Sequence, residues 1–413
     1  MKVVVAAIGS RGDVAPFAHL AGRLVSEGHE ATLVTHESLA TLAEPALPVI
    51  PVPSDPASLM AGPAAHAVRR VDPRKLNRTR DLFAQFVHSA MEPTREALAG
   101  ADVLVASTFA IAAVDEAIRQ AVPVVRAHMW PEYPGLGGPM PLLPYGWLVP
   151  APARRLARGA LRRVEPYLGG LDGWWERGRL HLVARHPVGL TTATAGSLYA
   201  FSPLILPSPP KAGIATGWWT AAAGPSTLST EVSSALADGG DWIYAGFGSM
   251  HQGDPTTWLE RLGAACERVG VRAVVQVGGV RGRPHPRLLC VGDEPHDELL
   301  RHVRLAVHHG GAGTTGSVVR AGVPSVVVPH LADQFYWGWR LRALGVATAS
   351  NRRALASTRV LSRLIEEALA PAPAIRAARL AHRVRDEDGC GRAVRQLEGW
   401  VGGPGRGPTP RSR

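Results

Sequence analysis

The sequence predicts an α/β protein built from two facing, doubly wound Rossmann-like domains with a cleft between them. Strand-like and helix-like segments alternate along the chain, which favours parallel sheets joined by crossover helices. The alternation occurs in two series, one starting at Lys2 and one at Trp242. With 413 residues, 46% of them hydrophobic, the chain is long enough to bury two cores.

The first series begins at the N-terminus, where a run of Val and Ala predicts a buried strand. The predicted elements are strands at 2–7, 31–35, 103–106 and 122–126, with helices at 17–27 and after Ala110. The stretches 54–91 and 129–189 interrupt this pattern, and the second of them is rich in Pro and Trp. We interpret both as irregular excursions from the first domain.

The second series predicts strands at 242–245, 273–277, 287–291, 305–307 and 325–328, with helices at 374–386 and 391–401. The apolar, proline-containing segment from Phe201 to Pro210 indicates the start of a linker. We therefore expect an N-terminal domain at 1–205, a linker at 206–220, a C-terminal domain at 221–385, a last helix within 386–402 and a disordered tail at 403–413.

The net charge of +11 comes almost entirely from arginine, since the chain has only three lysines. Together with abundant Ala, Gly and Pro, this is typical of a GC-rich genome such as that of an actinomycete. No nucleic-acid-binding module accompanies the charge, so we do not expect nucleic acid as a partner. The arginine cluster at 154–163 is interpreted as a solvated helix face, or alternatively as a surface in weak peripheral contact with anionic lipid.

Cysteine usage and hydropathy indicate the compartment. The three cysteines, Cys266, Cys290 and Cys390, are widely spaced and odd in number, which fits neither a disulfide framework nor a zinc site. No apolar run approaches the length needed to span a bilayer, and no signal-peptide pattern precedes the first strand. We expect a cytoplasmic protein without stable membrane insertion; the oligomeric state stays open.

The stretch from His308 to Thr315, HHGGAGTT, carries the clearest chemical signal. It lies between an apolar strand and a helix, so that free backbone N–H groups and the positive end of the helix dipole meet there. Glycines allow close approach of a phosphate, while Thr314 and His309 offer side-chain donors. Beyond the next apolar run, Asp333 and Gln334 are suited to binding sugar hydroxyls. The combination predicts a nucleotide-sugar site.

At this point the chain resembles the GT-B glycosyltransferases that act on small lipophilic molecules, namely bacterial antibiotic and sterol glycosyltransferases. Residues 9–16, GSRGDVAP, resemble the start of that subgroup. Further matches are YAFSP at 199–203 continuing to TGWW at 216–219, GFGSM at 246–250, and the phosphate turn itself. The resemblance implies an acceptor-binding N-terminal half, a donor-binding C-terminal half and a last helix that returns to the first domain.

The resemblance also implies the donor site, for a UDP-sugar or dTDP-sugar as co-substrate with no cofactor and no metal. The implied donor-binding residues are Ser10, Arg11, Gly12, Gly248, Ser249, His296, His309, Gly311, Ala312, Gly313, Thr314, Asp333 and Gln334. Residues 292–297 take the place of the loop that holds the nucleobase. Ser317 stands where plant relatives have a ribose-binding glutamate, so uracil and thymine nucleotides are not distinguished. For His308 we expect a packed core position.

Asp13 is the candidate general base. It follows the first strand in a glycine-containing turn, where a carboxylate can accept the proton of an attacking hydroxyl. The spacing alone equally allows a helix cap, and the resemblance favours the base. His19, inside the first helix, is expected to be packed. The resemblance implies His128 as an acceptor-binding residue. Met129, Trp130 and Trp147 belong to an irregular stretch rich in aromatic and Met side chains, which suits either an acceptor site for a large apolar ligand or a loop-rich core.

We therefore expect an inverting, metal-independent hexosyltransferase acting on a hydroxyl or amine of a lipophilic natural product, such as a polyketide or peptide antibiotic aglycone. A sterol or lipid glucosyltransferase is the alternative within the same reaction. A catalytically silent auxiliary protein is the alternative from another class, disfavoured because Asp13, His309, Asp333 and Gln334 are all present. A nucleotide-sugar epimerase is disfavoured by the N-terminal motif.

Overall fold

The computed structural model describes residues 1–56, 85–131, 194–210, 213–221, 227–247, 255–330, 333–349, 355 and 357–401. Several predictions fall outside these residues. They are the donor-binding roles of Gly248 and Ser249, the acceptor-binding role of Trp147, the arginine cluster at 154–163, the tail at 403–413 and most of the two irregular stretches.

The first sheet contains seven parallel strands in the described part of the chain. They are β1 (Lys2–Ala7), β2 (Glu30–His36), β3 (Val49–Val52), β4 (Val103–Ala106), β5 (Val124–His128), β6 (Thr194–Tyr199) and β7 (Ile214–Ala215), in the spatial order β3-β2-β1-β4-β5-β6-β7. The helices are α1 (Arg11–Ser26), α2 (Met91–Ala97) and α3 (Ile111–Arg119). Strand β4 is buried along its whole length, as expected for a parallel strand covered on both faces.

The second sheet contains six parallel strands in the described residues, with the order β10-β9-β8-β11-β12-β13. Its elements and the following helices are α4 (Thr230–Ala237), β8 (Trp242–Gly246), α5 (Thr256–Val269), β9 (Arg272–Gln276), β10 (Leu288–Cys290), α6 (His296–Leu299), β11 (Ala306–His308), α7 (Ala312–Ala321), β12 (Ser325–Val327), α8 (Gln334–Ala343), β13 (Ala347–Ala349), α9 (Thr358–Leu369), α10 (Pro371–Val384) and α11 (Gly389–Val401). The two doubly wound sheets confirm the predicted fold class.

The first helix begins six residues before the predicted start. Helix α1 runs from Arg11 with Ser10 as its N-cap, so Asp13 lies in the first turn of the helix instead of in the preceding loop. Pro16 lies inside the helix. A proline inside a helix loses one backbone hydrogen bond, so its presence in α1 runs against its local preference.

The predicted linker at 206–220 contains β7, which pairs with β6, so the first sheet extends through Ala215. Directly after it, Trp218 and Trp219 are buried, and the ring of Trp219 packs edge-on against Phe17 of α1 at 5.2 Å. The segment between the sheets is therefore part of the packed structure, because its aromatic side chains fill the space beside α1.

Apolar and polar contacts join the two halves of the molecule. Phe201 packs edge-on against Trp337 of α8 at 5.2 Å, and the Nε of buried Arg340 donates to the Ile205 carbonyl at 2.7 Å. The C-terminal helix α11 packs on the first half, where the ring of Trp400 lies against Gly196 of β6. Among the described residues, no helix combines the length and hydropathy of a membrane span.

Candidate active site

The sheet order locates the site. The direction of strand winding reverses beside β1 and β4 in the first sheet, and beside β8 and β11 in the second. Loops at the carboxyl ends of strands next to such a reversal form the ligand-binding crevice of doubly wound sheets. The β1–α1 turn with Asp13 and the β11–α7 turn with His309 both occupy this position.

Asp13 caps its own helix through one carboxylate oxygen. Its Oδ2 accepts hydrogen bonds from the Ser10 backbone N–H at 2.8 Å and from Ser10 Oγ at 2.7 Å, while the Asp13 N–H donates to the Ser10 carbonyl at 2.9 Å. Both side-chain bonds end on Oδ2, so Oδ1 keeps its capacity to accept a proton. Burial raises the pKa of Asp13, and the bonds from Ser10 oppose that rise.

A narrow recess lies beside Asp13, and its walls are in contact with one another in this structure. Its walls are mostly apolar, and its lining includes Phe17, Phe109, Met129 and Trp130. The Phe109 and Trp130 rings lie 6.0 Å apart in a tilted arrangement. The structure therefore places two of the four predicted acceptor-binding residues, Met129 and Trp130, on the walls of a recess that also holds the candidate base.

His128 does not line this recess. Side chains alternate across a strand, so Ala127 and Met129 face the recess while His128 points to the other side. Its Nδ1 lies 3.1 Å from Thr108 Oγ1, and its ring packs at 5.6 Å from Tyr199. The acceptor contact of His128 stays a prediction.

The β11–α7 turn presents the N-terminus of a ten-residue helix. Gly310 has φ +87°, and a Cβ there would lie 2.8 Å from Val327 Cγ1, so only glycine fits this bend. Gly311 is the N-cap of α7, Gly313 is exposed and Thr314 is partly exposed. The N–H groups of the first helical turn have no partner inside the helix, and such an end favours an anion.

The two histidines of the turn differ. His308 is fully buried, and its Nδ1 accepts from the Gly310 N–H at 3.1 Å, as expected for a core position. The His309 ring bonds to the Gly246 carbonyl at the end of β8. Burial and the neighbouring His330 lower the pKa of His309 to about 4, so the ring is neutral at physiological pH.

Asp333 approaches the same helix end from the second sheet. Its carboxylate accepts from the Trp337 Nε1–H at 3.0 Å and from the backbone N–H of Ala312, the first residue of α7. Burial, followed by the negative charge of Asp13, raises the pKa of Asp333 to about 7. The two carboxylates, one from each half, therefore share one electrostatic environment.

Gln334 is bonded to the loop that precedes α8. Its side chain is buried, and its Oε1 accepts from the His330 N–H at 2.8 Å. The amide therefore holds the loop before α8 in this structure.

His296 belongs to a polar cluster behind the phosphate turn. Its Nε2 lies 2.9 Å from Tyr244 Oη and 2.8 Å from Gln276 Oε1, and Gln276 donates to the Gly292 carbonyl at 2.7 Å. This cluster holds the 292–297 segment that the sequence assigned to the nucleobase. From the first half, Arg11 reaches Asp293 at 3.5 Å. Both side chains are largely exposed, so this ion pair contributes little stability.

Sequence reasoning missed several residues of the site. Ser107, Thr108 and Phe109 follow β4, and Trp337 lies one helical turn after Asp333. The first group could have been found from topology, because β4 lies beside β1 and their carboxyl ends meet at one edge. The contact of Trp337 could have been found from the spacing of four residues on a helix.

Two family models match the chain. The model of the glycosyltransferase family 28 N-terminal domain matches residues 3–127. The model of the erythromycin biosynthesis protein CIII-like C-terminal domain matches residues 286–390. The first match contains the turn with Asp13, and the second contains the phosphate turn and Asp333.

Individual relatives match this chain over almost its whole length. A sterol 3-beta-glucosyltransferase of Neosartorya fischeri is 28% identical over 428 residues, covering 96% of this chain but 29% of the relative. The chain thus spans under a third of the length of that curated relative. Among solved structures, the kitacinnamycin glycotransferase has a TM-score of 0.70 at 18% identity, covering 97% of this chain and 99% of that one. A spinosyn rhamnosyltransferase in complex with thymidine diphosphate has a TM-score of 0.66 at 19% identity, covering 96% and 100%.

Proposed function

Because the chain belongs to the GT-B glycosyltransferases of the antibiotic and sterol type, we propose that it transfers a hexose from a nucleoside-diphosphate sugar to a lipophilic acceptor. The acceptor group is a hydroxyl or an amine. The observation that carries the proposal is the position of Asp13 and of the α7 N-terminus at the carboxyl ends of the two sheets, beside the strand reversals where doubly wound sheets bind ligands.

The donor diphosphate binds at the N-terminus of α7 in this proposal. The dipole of the helix and the N–H groups of Gly313 and Thr314 stabilise the negative charge that grows on the departing diphosphate. Ser10 and Arg11 approach from the first half. The helix end supplies this charge stabilisation without a metal ion. The nucleotide is UDP or dTDP; the thymidine diphosphate bound by the spinosyn relative supports testing dTDP-sugars first.

In this proposal the acceptor binds at the apolar recess beside Asp13, whose walls part to admit it. In the proposed reaction its oxygen attacks the anomeric carbon from the face opposite the diphosphate, and the proton passes to Asp13 Oδ1. The bond between the anomeric carbon and the diphosphate breaks as the new glycosidic bond forms. A single displacement inverts the configuration, so an α-linked donor gives a β-linked product.

Two acceptor classes have support. The apolar and aromatic walls of the recess suit a lipophilic natural product, and the kitacinnamycin and spinosyn enzymes of the same fold favour an antibiotic aglycone. A sterol is the second candidate, because a sterol 3-beta-glucosyltransferase is 28% identical over an alignment that covers 96% of this chain.

The experiment tests each of two donors, UDP-glucose and dTDP-glucose, with each of three acceptors, which are a macrolide aglycone, an aromatic polyketide and a sterol. Release of nucleoside diphosphate is followed by a coupled assay, and products are identified by mass and by the anomeric proton coupling. We expect transfer to at least one acceptor with a β-linked product from the α-linked donor. A protein that binds nucleotides but neither transfers the sugar nor hydrolyses the donor in any of these combinations would instead be a silent auxiliary protein.

A further inference from the structure

The turn between β1 and α1 is held by side chains from three different elements. Three successive backbone N–H groups donate to them: Ile8 to Ser107 Oγ at 3.0 Å, Gly9 to His36 Nε2 at 3.1 Å and Ser10 to Asp13 Oδ2 at 2.8 Å. Asp13 was a site candidate from the sequence. The bond from Gly9 to His36, at the end of β2, has no part in the function proposed above.

The surroundings of His36 fix its tautomer. The ring is fully buried, and its Nδ1 lies 2.7 Å from the carbonyl oxygen of Ser54. A carbonyl can only accept, so Nδ1 carries the hydrogen and the lone pair is on Nε2. That lone pair accepts from the Gly9 N–H. The ring also stacks on Phe86 at 4.9 Å, and Ser89 Oγ donates to Ser54 Oγ at 2.7 Å.

Gly9 connects His36 with the candidate base. Its φ is +138°, and a Cβ at this position would lie 2.7 Å from Asp13 Oδ2, so the carboxylate rests directly against the glycine. The next N–H, that of Ser10, is bonded to the same oxygen. A rotation of the Gly9 peptide would therefore displace the carboxylate relative to the recess.

We propose that His36 is a positioning residue, whose neutral ring fixes the Gly9 peptide and thereby aims the Asp13 carboxylate at the acceptor. The inference rests on the proposed function, because it gives Asp13 the part of the base. Protonation of His36 would convert the acceptor Nε2 into a donor and break the bond to Gly9. Burial lowers the pKa of His36, opposed by the bond to Ser54 and by the charge of Asp55. The ring is thus kept neutral where the base has to work.

The test compares His36→Gln with His36→Met. The two side chains have similar length, but glutamine offers an oxygen acceptor near the place of Nε2 and methionine does not. Turnover is measured with the donor and acceptor that the wild-type protein uses, together with the Kd of UDP or dTDP and the melting temperature. Hydrogen exchange of the Gly9 amide, resolved by NMR or by overlapping peptides that begin several residues before Gly9, reports this bond directly.

We expect His36→Gln to keep turnover within a few-fold of wild type and to keep the amide protected. In His36→Met, the Gly9 amide should lose its protection, and kcat should fall by on the order of 10- to 100-fold, the scale of a misplaced reacting group. The Kd of the nucleotide should stay nearly unchanged. In the wild-type protein, protection of this amide should be lost only at a pH below the ordinary pKa of histidine, because burial lowers the pKa of His36, after correction for intrinsic exchange. This measurement on the wild-type protein tests the inference even if His36→Met does not fold.

Equal turnover and equal exchange in the two variants would overturn the inference. A wild-type protein that transfers no sugar would instead overturn the proposed function. The exchange experiment would then still show whether His36 holds the turn.

Discussion

At the residue scale, Asp13 shows that a helix cap and a general base are compatible on one side chain. The sequence left these functions as alternatives. In the structure the capping bonds end on Oδ2, and the recess lies beside the same carboxylate. Asparagine can preserve the cap but cannot accept a proton at neutral pH, so one substitution separates the two functions.

Asp333→Asn tests the coupled carboxylates. The folded pKa of about 7 is raised above the ordinary 3.8, so the folded protein favours the neutral form and loses stability as pH rises through that window. Asparagine removes this loss. We expect the difference in melting temperature between the variant and wild type to favour the variant more at pH 8 than at pH 5. We also expect the difference in affinity between UDP-glucose and UDP to become smaller. A melting difference that is the same at both pH values would contradict the assignment.

His309→Ala tests the phosphate turn. The neutral ring holds the end of β8 against α7, so its loss should misplace the N–H groups proposed to bind the diphosphate and lower kcat by on the order of 10²-fold, the scale of a misplaced reacting group. Nucleotide titration should weaken as well. The control is His302→Ala, which removes an exposed histidine that contacts Glu298 and should leave both values unchanged. Unchanged turnover in His309→Ala would remove this turn from the donor site.

At the element scale, the sequence predicted strands better than helix ends. Val-rich β1 and β4 were predicted at their observed bounds, because buried parallel strands form continuous apolar runs. The three-residue β13, Ala-Thr-Ala, was missed, since it has no pattern distinct from a loop. The start of α1 was missed because Pro16 indicates a helix break, while the capping partners Ser10 and Asp13 lie before it.

The candidate site was predictable only where chemistry and local spacing coincide. The turn of Asp13 and the turn of His309 stand out as small residues between a strand and a helix. Ser107 and His36 could not be connected with Asp13 from spacing, because they lie at the ends of strands that are adjacent only in the folded sheet. Their function depends on strand order, which a local sequence pattern does not contain.

Helix α7 offers a test of packing behind the phosphate turn. A Cβ on Gly316 would lie 2.6 Å from the Nε1 of buried Trp218, so Gly316→Ala should overpack this contact. We expect a loss of about 1–3 kcal/mol in the free energy of unfolding, measured by denaturant titration. The control Gly399→Ala, in α11 with nothing within 4 Å of the added carbon, should instead gain up to about 1 kcal/mol. Stabilisation of both variants would show that Trp218 does not pack on α7.

At the scale of the whole molecule, the site exists only because two halves are held together. Buried Arg340 bonds to the carbonyl of Ile205, and Ser202 donates to Glu387 at 2.7 Å. Burial raises the pKa of Glu387. Helix α11 then packs on the first half. These contacts fix the distance between Asp13 on one side and α7 with Asp333 on the other.

The assembled site makes a prediction about divalent ions. We expect donor turnover to survive EDTA, since the dipole of α7 and its N–H groups are proposed to support the leaving diphosphate. Turnover is compared in EDTA, in EDTA with excess Mg²⁺ and in EDTA with excess Mn²⁺. Loss of turnover on chelation that either ion restores would show that a metal shares this task.

The most direct test of the account is Asp13→Asn, with Asp102→Asn as the matched control. Asp102 also accepts a backbone N–H, that of Lys2 at 2.7 Å, but lies outside the recess. Melting temperature, nucleotide Kd and turnover are measured for both variants. We predict that Asp13→Asn keeps its fold and its nucleotide affinity while kcat falls by roughly 10²- to 10⁴-fold, the range for loss of a general base, and that Asp102→Asn is nearly silent. Near-normal turnover in Asp13→Asn would show that Asp13 only caps α1 and would contradict the proposed reaction.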